Sequence, residues 1–218
     1  MAAGLRWRWR TLLLSLWMAM ALYPAAAMEF AAKRQSGELV LIAHGDIKVG
    51  DSEQLRSVLN RTNISAATVY LDSSGGSVGE SFRIGALIRE RRLGTVVPNS
   101  AECASACVFV FAGGIVREVH PGGKVGVHMA SMMFDEEYVN RLETLLLTQT
   151  SLSVHDRVRV IVAHNEQVAS TTMAAIANYL VKMGLSMRLL FPTTETSHFD
   201  IHWLTSNELR DYNVVNTE

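Results

Sequence analysis

Apolar residues follow two periods along this chain. Short unbroken runs have the length of buried strands: Glu38 to Ala43 (ELVLIA), Ala67 to Leu71 (ATVYL), Thr95-Val96-Val97, and Lys124 to His128. Segments of helical spacing lie between them. Asp51 to Asn60 places Leu55, Val58 and Leu59 on one side, and the stretch after Ser77 does the same with Phe82, Ile84, Leu87 and Ile88. Ser77 and Glu80 have the S-x-x-E spacing of a capping box, and Gly94 is expected to end that helix. Turn chemistry separates the elements at His44-Gly45-Asp46, Asp72-Ser73-Ser74-Gly75-Gly76 and Pro121-Gly122-Gly123. Residues 105–112 (SACVFVFA) fit a helix or a strand by period alone, and Gly113-Gly114 stops them. Residues 135–190 read as helix broken at Gly184; Thr205 and Glu208 repeat the capping-box spacing, and Asn213 suits a left-handed cap. The alternation predicts an α/β protein of stacked βαβ units with mostly parallel strands, plus a helical region in the second half.

The N-terminus changes the picture of where this domain works. Arg6, Arg8 and Arg10 precede an almost wholly apolar stretch from Thr11 to Tyr23, then Pro24 and Ala25-Ala26-Ala27. That order predicts a signal peptide over 1–27, cut between Ala27 and Met28, with a periplasmic or secreted single domain over 28–218. The alternative is an uncleaved anchor, since Thr11 to Ala27 is just long enough to span a bilayer. Without the leader the chain holds 17 basic and 21 acidic residues, a net charge of −4 with no basic block, which argues against a nucleic-acid partner. Cys103 and Cys107 are the only cysteines. In an exporting compartment they form a candidate disulfide, provided Cys103 lies outside the helix that carries Cys107; otherwise they are two small buried thiols.

Three segments carry candidate chemistry. Leu71 to Val78 reads strand, paired glycines, capped helix, and backbone N–H groups at Gly75 and Gly76 suit an anion or a developing oxyanion; alone, the pair is an ordinary turn. In Ala101 to Cys107, Ser105 sits among small residues where a helix starts, as a nucleophile or merely as a cap. In Val125-Gly126-Val127-His128 an imidazole ends a strand, as a general base or a core histidine.

The order of the three segments resembles the proteolytic subunit of Clp protease and its exported relatives in the crotonase-like superfamily, from about Glu38 to His128, with an echo at Trp203 to Val215. The resemblance implies Ser105 as nucleophile, His128 as base, and the N–H groups of Gly76, Gly75 and Ala106 as oxyanion hole. It implies peptide or protein substrates, no cofactor, and a homo-oligomer. Ser74 stands where the family has a proline, and Ser197 falls near its acid. The third triad member is therefore expected to be Asp200, an acid able to reach an imidazole N–H, with Glu195 or a Ser-His dyad as the alternatives. Residues 135–190 have no counterpart and are expected to pack subunits together or roof the cleft. An exported chain meets no cytosolic ATPase, so hydrolysis is expected to be independent of ATP.

Two rivals stay open. A Ser-Lys mechanism would draw on Lys48, Lys124 or Lys182, whereas a histidine needs no large pKa shift. A catalytically inactive scaffold used for binding is the other. An acyl-CoA activity would leave Ser105 and His128 without a use. His198 and His202 have H-x3-H spacing, but the segment between them reads as extended and no third ligand is identifiable, so no metal is expected. Met129, Met132 and Met133 are core residues or the lining of an apolar side-chain pocket.

Overall fold

A computed structural model describes residues 27–35, 38–62, 68–133 and 135–217. Of the expected leader, only Ala27 falls among them. Five strands form one sheet in the order β1-β2-β3-β4-β6: β1 (Glu29–Gln35), β2 (Glu38–His44), β3 (Thr68–Asp72), β4 (Gly94–Val97) and β6 (Arg117–Val119). A second sheet has the order β5-β7-β8: β5 (Glu102–Ala104), β7 (Lys124–Val127) and β8 (His202–Trp203). All neighbours are parallel except β1 against β2 and β8 against β7.

The crossovers explain the parallel pairing, because each return to the sheet runs through a covering helix. α1 (Asp51–Thr62) links β2 to β3, and α2 (Val78–Glu90) links β3 to β4. Leu55 and Leu59 of α1, Ile84 and Ile88 of α2, and Val69 and Leu71 of β3 are buried in one core. α3 (Cys107–Ala112) is buried along its whole length, which is why its apolar run has no readable period. β5 and β6 are only three residues each, too short for a pattern to declare itself.

Two helix ends differ from expectation. The Ser77 hydroxyl accepts from Glu80 N–H (3.3 Å), but the Glu80 carboxylate turns inward to Ser52 N–H (2.7 Å) and to Arg83. The Ser77 N–H is already donated to the Ile47 carbonyl, so this capping box is half made. α2 closes at Glu90, and Gly94 instead opens β4. The Thr205–Glu208 box is complete, Gly184 caps left-handed at φ 75°, and Asn213 has φ 52°.

The second-half helical region is a hairpin of α4 (Glu136–Thr148) and the 30-residue α5 (Val154–Met183), followed by α6 (Leu190–Glu195) and α7 (Ser206–Asp211). Only the end of α5 enters the core, through Ile176, Tyr179, Leu180 and Met183. Its first half leaves Val154, Val158, Val160 and Val162 exposed. Among the described residues no helix is long and apolar enough to cross a membrane. Two arginines tie the distant parts. Arg89 donates to the carbonyls of Ala112, Gly113, Gly114 and Met183, and Arg117 to those of Gly114, Asn213 and Val214. Burial and the nearby Arg89 charge push Arg117 down to about 10.

Candidate active site

β5 ends at Ala104 and α3 begins at Cys107, so the chain turns from strand to helix at Ser105. Ser105 makes that turn at φ 55°, a left-handed conformation that costs a non-glycine residue about 1–3 kcal/mol. The surroundings over-determine it. Ser105 N–H donates to the Gly126 carbonyl (2.9 Å), Ala104 N–H to Ser73 (3.0 Å), and Ser73 N–H to Glu102 (2.7 Å). Cys103 and Cys107 are joined by a disulfide across the turn, with Cα atoms 5.2 Å apart. Cys103 lies in β5 and Cys107 opens α3, so the bridge does not span a regular helical turn.

Gly75 sits against this elbow. A Cβ there would stand 2.7 Å from the Ser105 Cβ and 2.8 Å from the Ala104 carbonyl, at a φ of +109°. Its N–H is donated to the Ser73 hydroxyl (3.2 Å), so Gly75 supplies close approach rather than the anion-binding donor suggested by its place in the sequence. The N–H groups of Gly76 and Ala106 have no acceptor among the described residues. Gly76 is held at φ 133° by two bonds that straddle it, Ile47 N–H to Gly75 (2.7 Å) and Ser77 N–H to Ile47 (2.9 Å). Gly75→Ala is expected to cost at least about 1–2 kcal/mol in chemical denaturation, because the left-handed backbone and the displaced Ser105 add together.

His128 directly follows β7, whose Gly126 pairs with Ala104 of β5. Ser105 and His128 thus leave the same ends of two adjacent parallel strands. The imidazole is half-buried, and its Nδ1 has no hydrogen bond among the described residues. Its ring packs edge-on against His198, with centroids 5.1 Å apart. Burial foremost, then the His198 charge, hold His128 below the usual imidazole range, and the Met129 backbone opposes them. The segment bearing His198 is anchored by Met129 N–H donating to the Thr196 carbonyl (3.0 Å).

Asp200 and Glu195 are both exposed, and the Asp200 carboxylate accepts the Ile201 N–H (2.8 Å). The side chain set against His128 is His198, which the sequence offered only as half of an H-x3-H pair. Its former companion, His202, lies in β8 and pairs with Glu208 (2.9 Å). No cluster of three metal-ligating side chains occurs among the described residues. Of the lysines, Lys124 pairs with Glu102 (3.0 Å) and lies over the Trp203 ring, and Lys182 is exposed near the end of α5. Lys48 stands beside Asp51. Met129, Met132 and Met133 are exposed, not core.

No family model matches the sequence, and no curated protein matches it. Solved structures do. The chain is similar to a mutant of the 1510-N membrane-bound stomatin-specific protease, at 17% identity and a TM-score of 0.51, over 80% of this chain and 75% of that one. It is equally similar to ClpP1 from Listeria monocytogenes, at 17% identity and a TM-score of 0.51, over 81% of this chain and 88% of that one. At this identity the likeness speaks for the fold alone, and it agrees with the parallel strands and their covering helices. The chain has the Clp-protease-like α/β fold.

Proposed function

We propose that this chain is an exported serine peptidase that cleaves peptide bonds without ATP. Ser105 Oγ attacks the substrate carbonyl, neutral His128 takes the hydroxyl proton, and the Gly76 and Ala106 N–H groups stabilise the oxyanion. The proton passes to the departing amine, and water then releases the acyl group from Ser105. The observation that carries this reading is the left-handed Ser105 elbow, together with the Gly76 and Ala106 N–H groups, which have no acceptor among the described residues. A serine that merely capped α3 would need no such conformation. Export draws its support from the basic, apolar and Ala-x-Ala order of residues 1–27, and from a disulfide of the kind that persists outside the cytosol.

A fluorophosphonate probe tests the reading. The expected result is one adduct per chain, on the peptide that contains Ser105; an intact protein with no adduct overturns it. The inactive-scaffold reading draws on Asp200, whose carboxylate is engaged with Ile201, and it predicts no adduct.

The acid limb of labelling has a direction set by the site. A base held below the usual imidazole range stays neutral into mildly acidic solution, so labelling persists there. His198→Phe keeps a ring against His128 but removes its charge. The acid limb should then move to higher pH, and pseudo-first-order labelling rates across a pH series measure it. A limb that stays in place would remove His198 from the account.

A further inference from the structure

Asp51 is only 4% exposed, yet it carries a carboxylate. Its Oδ2 accepts the Lys48 N–H at 2.7 Å, and the carboxyl also accepts the backbone N–H of Met28. Met28 is itself fully buried, immediately before β1, and its neighbour Ala27 bridges to Asp46. The charged groups acting on Asp51 are Glu80, a buried like charge from α2, and Lys48 from the loop after β2. Glu80 is committed to Ser52 and Arg83. Burial and Glu80 both push the Asp51 carboxyl up, whereas a cation at the position of the Met28 nitrogen would favour its ionised form.

The residue whose nitrogen faces this carboxylate is the one that becomes the N-terminus if the leader is cut after Ala27. Hydrolysis of the Ala27–Met28 bond by a leader-removing peptidase consumes one water, leaves Ala27 as a carboxylate, and leaves the Met28 nitrogen as an amine. An α-amine of ordinary pKa, about 8, is protonated at neutral pH. We propose that Asp51 is the binding site for the α-ammonium of the processed chain, a buried ion pair that only leader removal creates. The inference rests on the export reading and not on the peptidase reading.

The pair has a route to the site. Asp51 holds Lys48 by its N–H, and Ile47, the residue before Lys48, makes the two bonds that straddle Gly76. Docking the ammonium thus braces the segment that fixes the Gly76 N–H. In the uncleaved chain the same nitrogen is a neutral amide with one hydrogen, and the cation acting on Asp51 is Lys48.

The test begins with full-length protein exported from its native host, N-terminally sequenced and kept folded. Brief acetylation near neutral pH is followed by peptide mass spectrometry of the α-amine, in the wild type and in Asp51→Asn. The expected result is a Met28 terminus whose amine acetylates at least about tenfold more slowly in the wild type, equivalent to one pKa unit of protection. Heat denaturation should also show a higher midpoint for the wild type. Asp51→Glu, which keeps the charge, covers the case in which Asp51→Asn does not fold, and should retain part of the protection relative to denatured protein. A Met28 terminus that acetylates as fast folded as unfolded overturns the ion pair and leaves export standing. A cut at another position overturns the ion pair alone, and an intact Met1 end overturns both.

Discussion

Ser105→Ala is expected to abolish fluorophosphonate labelling and to lower peptide turnover by about three orders of magnitude or more, with the fold intact. Removing a serine nucleophile takes away the covalent route and leaves only oxyanion binding and positioning. His128→Ala should cost a comparable factor, since an unassisted hydroxyl is a poor nucleophile at neutral pH. Ser105→Gly separates catalysis from stability. It also ends the reaction, but glycine adopts φ 55° without the side-chain clash, so the unfolding free energy should rise by about 1 kcal/mol relative to Ser105→Ala. Denaturant melts of the two variants measure this. Equal midpoints would mean that the elbow carries no strain, and unchanged turnover in either variant would end the nucleophile assignment.

Removing the Cys103–Cys107 bridge should cost activity more than its size suggests. A loop this short restrains the unfolded chain by only about 2 kcal/mol. The bridge closes around Ser105, however, and loss of aim at a nucleophile is expensive, since a displacement of about 1 Å is worth about a hundredfold. Cys103→Ala with Cys107→Ala should therefore slow labelling by about ten- to a hundredfold, and dithiothreitol should reproduce the loss in the wild type alone. Both sulfurs are fully buried, so reduction is expected to be slow unless the turn opens. Alkylation of the non-reduced protein should add no carbamidomethyl group. Two additions, or a double variant that labels at the wild-type rate, would discard the clamp.

Legibility in the sequence followed the physics of each element. β2, β3 and β7 were readable because their apolar residues enter the core: Val40, Leu41 and Ala43; Val69 and Leu71; Val125 and Val127. β1 was not, because an edge strand is held by its backbone ladder to β2, and among its described side chains only Phe30, with the preceding Met28, packs inward. Ser105 and His128 stood out through local pattern and order along the chain. His198 did not, because its contact with His128 depends on the turn before β8 returning to the end of β7, a pairing that no local window contains. Gly75 was assigned a donor role that the Ser73 side chain pre-empts, and competition of that kind is invisible in a one-letter string.

Arg117 places a condition on the order of assembly. The residue is 2% exposed, and two of its three carbonyl partners belong to Asn213 and Val214, close to 100 positions further along the chain. A chain that emerges N-terminus first presents β1 to β7 while this buried cation still lacks most of its acceptors. Stranding it in the core at that stage would cost several kcal/mol, so the nascent sheet is better left open until the tail arrives. Closure then becomes a late, long-range event, and a truncation that removes only the last half-dozen residues acts on the kinetics of the entire sheet.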